Sequence, residues 1–241
     1  MATGTVPDAS TKKPNSGCRS SRLACYRCIT FWVTFTVPEK VRAVLRARQK
    51  DGYNALFATA RDTIRHRAEK SRYLAGCEVG FFGVLHTWGR DPMVYHPHIH
   101  FVVPGGGVSA DSSHWKSTPE DSLFPHGATA ADYKDFFEAA LQAAGLHDDV
   151  PAETWDGKWV VDIKPVGDGQ AVLKYLAPHV YRVAISDNRI LTDDEQSVTF
   201  RYTPSKSKTS KTRTVTGEEF MRGFLQHVLP RATRRFVTTA G

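Results

Sequence analysis

The chain changes its hydrophobic rhythm several times, and each change marks an element. "FWVTFTVP" (31–38) alternates β-branched and aromatic residues and stops at a proline, the pattern of a strand. From Val41 to about Lys70 the period becomes helical, with Val41, Val44, Leu45, Leu56 and Ile64 in register and Gly52 expected to interrupt the run. "EVGFFGVLHTW" (78–88) reads as a buried strand, "GRDPM" (89–93) as a turn and "VYHPHIHFVVP" (94–104) as its partner strand. A glycine- and serine-rich stretch follows as loop, with room for a short hairpin. "ADYKDFFEAALQAAG" (131–145) places Tyr133, Phe136, Phe137, Ala140, Leu141 and Ala144 on one helical face and ends on a glycine cap. "KWVVDIKP" (158–165) is a strand, and "DGQAVLKYLA" (168–177) a helix with Asp168 as candidate cap. "VTFRY" and "TRTVT" are strands, followed by a last helix, "GEEFMRGFLQHVL". This order, with hairpins in place of strict βαβ units, predicts an α+β fold: a central antiparallel sheet with flanking helices. Residues 1–28 are rich in Ser, Thr, Pro, Lys and Gly and are expected to form a disordered leader, with the folded domain spanning 29–241.

Composition narrows the class only a little. With 241 residues, 41% hydrophobic and 24% charged, the chain can build one good core. No apolar run approaches the roughly 18 residues of a membrane span, so a cytoplasmic protein with no membrane partner is expected. Cys25 and Cys28 form a CxxC, but only Cys18 is close in sequence and Cys77 is distant, so a complete structural zinc site is not expected. The formal net charge of +7 fits a polyanion partner, and position sharpens the point. Lys206, Lys208, Lys211 and Arg213 share one Ser/Thr-rich stretch, with Arg201 just before it and Arg182 further upstream. These are candidate DNA-backbone contacts; solvated surface charge is the plain alternative.

The candidate chemistry lies in "YHPHIHFVVPGGG" (95–107). On a strand, His98 and His100 share a face, with Ile99 opposite; His96 has the same parity, but Pro97 follows it. A hairpin turning about Pro92 sets residues whose numbers sum to 184 opposite each other, which pairs His86 with His98. Three imidazoles then converge as in an open, catalytic metal site, although a lone HxH on a strand commonly binds nothing. "VLKYLAPHVYRVAIS" (172–186) adds Tyr175 and Tyr181. A tyrosine hydroxyl attacks phosphorus only when the phosphate charge is neutralised.

Three blocks, "GFFGVLHTWGRDPMVYHPHIHFVVPGGGVSADSSHW", "YLAPHVYRVAISDNRIL" and "VTFRY…EEFMRGFLQHVLPR", together resemble the rolling-circle insertion-sequence transposases of the two-tyrosine HUH endonuclease superfamily (His, hydrophobic residue, His). The resemblance covers about residues 31–236. It implies a bacterial enzyme of HUH endonuclease-like fold that moves an insertion sequence by DNA transposition. Such an enzyme cuts and rejoins single-stranded element ends through a covalent 5′-phosphotyrosine. His98 and His100 match its two metal ligands, His86 is the third from the hairpin geometry, Tyr175 matches the attacking tyrosine, and the ion would be magnesium or manganese.

The chain departs from the family pattern where the second tyrosine belongs, four residues after the first: His179 stands there, preceded by Pro178 in place of arginine. Proline removes a helical hydrogen bond. Tyr181 is about 240° around the helix from Tyr175 and does not substitute for the missing group. The ends also look shortened, with "CRSSRLACYRC" as the remnant of a zinc module. Two expectations stay open: a one-tyrosine endonuclease, or a DNA-binding remnant that no longer cuts.

Overall fold

The computed structural model describes residues 28–168, 184–204, 207, 209–229 and 236–239. Its centre is a five-stranded sheet in the order β11–β3–β4–β1–β7, antiparallel at every neighbouring pair. The strands are β1 (Ile29–Thr36), β3 (Phe81–Trp88), β4 (Tyr95–Pro104), β7 (Val161–Asp168) and β11 (Phe236–Thr239). Three helices, α1 (Glu39–Ala47), α2 (Gln49–Glu69) and α3 (His126–Ala143), pack with this sheet. The fold is therefore α+β with a central antiparallel sheet, as the alternation of periods predicts.

Side-chain alternation divides the sheet into two unlike faces. Phe31, Val33 and Phe35 of β1, Leu85 of β3, Ile99 and Phe101 of β4 and Ile163 of β7 are all buried in one core. The helices close it with Leu45, Leu56, Ile64, Tyr133, Phe137 and Leu141. The opposite parity carries Trp32, Thr34, His86, His98, His100 and Lys164, and all of these line an open cleft. One face thus holds the protein together, and the other, among the described residues, lines the cleft.

Two smaller sheets flank the cleft and the loops. β2 (Cys77–Glu78), β5 (Gly106–Ser109) and β6 (Trp115–Ser117) form one in the order β2–β5–β6, which contains the short hairpin expected there. β8 (Ile190–Asp193), β9 (Ser197–Tyr202) and β10 (Lys211–Thr216) form the other, followed by α4 (Gly217–Leu225). The Thr216 hydroxyl caps α4 by accepting from the Glu219 N–H at 3.1 Å. Phe200 and Val215 make a second small core with Ile185, against which Met93, Phe220 and Phe224 pack.

The expected elements shift in places. The long helical run breaks at Arg48, between α1 and α2, and not at Gly52. Gly52 lies inside α2, where a side chain would come 2.6 Å from Leu45 Cδ2, so glycine here permits close approach of the two helices and does not end either one. α3 begins earlier than expected, at His126, and Ala144 is exposed at its end. The strand β11, at the edge beside β3, carried no signal that was read from the sequence. Asp168, the candidate cap of the expected helix, is the last residue of β7, and positions 169–177 and the leader before Cys28 lie outside the described residues. Among the described residues no helix is long and apolar enough to cross a membrane.

Packing across β3 and β4 has little slack. Phe101 is fully buried and held edge-to-face by Phe35 and Phe81, at ring separations of 5.9 and 5.3 Å. A Cβ on Gly83, its cross-strand partner, would lie 2.4 Å from the Phe101 ring. Gly83→Ala is therefore expected to lower stability by about 1–3 kcal/mol, as overpacking does. The midpoint of urea unfolding, compared with wild type, checks this.

Candidate functional site

The β3–β4 hairpin has the register that its turn predicts: His86 faces His98, Leu85 faces Ile99 and Val84 faces His100. A register shift between His86 and Trp88 then brings Trp88 opposite Tyr95. The ring of Trp88 stacks on His86 at 4.9 Å with 21° between planes. His86, His98 and His100 converge on one point, each offering a nitrogen within 4.8 Å of the others. His98 and His86 are buried, and His100 is half-buried toward the cleft.

Hydrogen bonding determines which nitrogens are available. His98 Nδ1 lies 2.7 Å from the backbone carbonyl of His96, so that nitrogen carries the proton and Nε2 keeps its lone pair. Burial holds the His98 imidazole down at about 4, the bond to the His96 carbonyl opposes this, and the Arg42 charge adds to it. His98 is thus neutral at physiological pH, the form a metal ion requires. His96 is also held down to about 4, by burial first and then by the charges of His98 and Arg42.

His100 is tied into β1. Trp32 Nε1–H donates to His100 Nδ1 at 2.7 Å, and the Thr34 hydroxyl lies 2.9 Å from the same nitrogen. An indole N–H only donates, so neutral His100 carries its proton on Nε2, 3.0 Å from His98 Nε2. To offer Nε2 to a cation, His100 would have to carry its proton on Nδ1, where Thr34 is placed to accept it in place of the Trp32 donation. The three imidazoles then form a donor set that fits a divalent ion, with the His96 carbonyl and Thr34 orienting the rings behind it.

The surrounding cleft, about 1090 Å³, mixes aromatic and charged groups. Arg213 on β10 lies over the Tyr202 ring at 4.7 Å and pairs with Asp91 at 3.4 Å. Lys164 pairs with Asp162 at 2.6 Å. Of the basic residues expected to touch DNA, Arg213 lines this cleft. Lys211 is exposed at the start of β10, on the same strand face as Arg213. Arg201 lies across from Thr212, on the other face of β9, and is exposed away from the cleft. Adjacent strand parities thus put Arg201 on the opposite strand face from Lys211 and Arg213. Tyr175, Arg182, Lys206 and Lys208 lie outside the described residues, as do Pro178, His179 and Tyr181. Trp32, Thr34 and Arg42 were not singled out as site residues from the sequence, and the structure sets them on the cleft beside the histidines.

The hairpin turn is clamped from the residues just after α4. Buried His227 donates from Nε2 to the Pro92 carbonyl at 2.7 Å, while its Nδ1 lies 3.2 Å from the Thr87 hydroxyl. Gln226 Nε2 donates to the Met93 carbonyl at 2.9 Å. His227 thus ties β3 and the turn to the segment just after α4.

The sheet thus brings together three imidazoles that could hold a metal ion, in a cleft lined by aromatic and charged side chains. Residues 80–237 match the family described as "Putative transposase" (Y2_Tnp), and the chain belongs to that family. It is similar to "Putative transposase y4qJ" of Sinorhizobium fredii, with 34% identity over 225 residues, covering 85% of this chain and 56% of that protein. A shorter similarity, 39% over 64 residues, links it to "Transposase for insertion sequence element IS801" of Pseudomonas savastanoi pv. phaseolicola, covering 27% of this chain and 14% of that protein. The chain thus spans about half the length of the first relative and much less of the second. No solved structure matches it.

Burial holds the His227 pKa below its ordinary value of 6.5, and the Pro92 and Thr87 contacts offset only part of this. The folded state then binds fewer protons there than the unfolded chain. The contribution of His227 to stability is fully present above 6.5 and is lost as pH falls below it, toward the folded-state pKa. The urea midpoint of wild type is expected to drop between about pH 7.5 and about pH 5.5, and His227→Gln to drop less over the same interval.

Proposed function

We propose that this chain carries the strand-cleaving centre of an insertion-sequence transposase and acts on single-stranded DNA by the one-tyrosine HUH route. The observation that carries this reading is the convergence of His86, His98 and His100 on the open face of the sheet. Membership of the transposase family and the cationic cleft around the triad support it.

In this reading the three histidines hold magnesium or manganese, whose chemistry is to neutralise the scissile phosphodiester and polarise its phosphorus. The remaining work falls to the chain. The neutral ring of His98, fixed by the His96 carbonyl, keeps its donor nitrogen facing the cleft. The Thr34 hydroxyl, within reach of His100 Nδ1, orients that ring from β1. Arg213 and Lys211 hold backbone phosphates without reading sequence. The hydroxyl of Tyr175 loses its proton to water and attacks phosphorus. The bond to the 3′-oxygen breaks, that oxygen gains a proton, and the 5′-phosphate stays on the tyrosine. A later 3′-hydroxyl attacks the same phosphorus, releases Tyr175 and restores a phosphodiester, so no nucleotide triphosphate is consumed. Pro178 and His179 favour a second reading, a DNA-binding form that holds the element ends without cutting.

Incubation with single-stranded DNA spanning the flanking element ends and manganese, followed by a denaturing gel, separates the two. A protein–DNA adduct lost in both Tyr175→Phe and His98→Ala is the expected result. His98→Ala is further expected to weaken manganese binding by at least about tenfold in calorimetry, since one of three ligands is gone. Salt-dependent DNA binding with no adduct would support the binding-only form. Manganese binding left unchanged in His98→Ala would remove the triad from the mechanism.

A further inference from the structure

The charges in the cleft do not balance locally. Arg213 is paired with Asp91 and Lys164 with Asp162. Arg46, one helical turn beyond Arg42 on α1, donates from Nη1 to Gln226 Oε1 at 2.6 Å and lies 5.9 Å from the Tyr95 ring centroid. Arg42 has no comparable anchor. Its Nε is buried with no hydrogen-bond partner, and among the described residues no carboxylate forms an ion pair with it. Burial depresses its pKa, and the charge of Glu39 on the same helix opposes this only in part.

The backbone accounts for its position. β1 ends at Thr36, directly opposite His98, and α1 starts after Pro38. Val41, Val44 and Leu45 are buried in the core and hold the helix there. Arg42, beside Val41, is left at the mouth of the cleft with His96 and His98. A half-buried guanidinium with an unmet N–H is costly unless a strong acceptor completes it. Its planar fork suits the paired oxygens of a phosphodiester better than a single neutral acceptor.

We propose that Arg42 is a phosphate anchor that grips a backbone phosphodiester of the single strand beside the histidine triad, and so positions the strand for cleavage. This rests on the reading that the cleft takes single-stranded DNA. The contact reads charge and shape and not base sequence, so it is measurable on any single strand.

The test is fluorescence anisotropy of the full chain with a labelled oligothymidylate of about 20 nucleotides over a range of salt concentrations, without added metal. Arg42→Gln is expected to lower affinity about tenfold near 0.1 M salt and to reduce the log–log salt slope by about 0.7, the value for one lost phosphate contact on a single strand. Arg42→Lys should keep the slope and lose part of the affinity, since it retains the charge but not the fork. Both variants should bind manganese like wild type, which separates this role from disruption of the triad. Arg42→Gln and Arg42→Lys both binding DNA as wild type does, with unchanged slope, overturns the anchor and leaves the proposed function standing. Wild type failing to bind the oligonucleotide at any salt concentration overturns the reading of the cleft, and the anchor with it.

Discussion

The antiparallel ladder between β3 and β4 is the constraint on which the site depends. Side chains in a sheet alternate with period two, so a slip of one residue would send His98 and His100 into the helix-covered core and bring Ile99 out to the cleft. The cost of burying two imidazoles in place of one fully buried isoleucine opposes any such slip. Phe101, locked between Phe35 and Phe81 and resting against Gly83, pins the same register from the apolar side. Core and candidate site are two faces of one pairing.

β4 is also hydrogen-bonded on its other edge, to β1, which sets Thr34 opposite His100 and Thr36 opposite His98. That second ladder supplies the Trp32 and Thr34 contacts that hold the His100 ring. The turn of the hairpin is held as well, by His227 and Gln226 from the end of α4. Met93 from the same turn packs with Phe220 and Phe224 around the small core of Phe200 and Val215. The triad therefore sits on rigid elements buttressed on three sides, the condition for fixed ligand geometry.

Much of this was legible in the chain, where the contacts are local. The strand pair 78–88 and 94–104 is joined by a short turn, and its register follows from counting, so the meeting of His86 with His98 needed no structure. Another expectation failed where a residue type has two uses. Gly52 reads as a helix breaker but permits helix packing against Leu45. The alternation in "FWVTFT" already sets Trp32 and Thr34 on one face, a signal that would have marked them as a unit had the partner strand been known.

By itself, the sequence determined the periods of the elements, the α+β class, the hairpin register and the parity that groups the histidines, since all of these arise from neighbours within a few residues or across one tight turn. Tertiary structure alone decided which strand lies beside β4, that β11 closes the edge next to β3, and that α1 leaves Arg42 at the mouth of the cleft. Those outcomes depend on contacts between residues about 60 or more positions apart in the chain, such as Thr34 with His100. Closing loops of that size costs only slowly growing entropy, so many pairings are nearly equivalent until the packed core selects one.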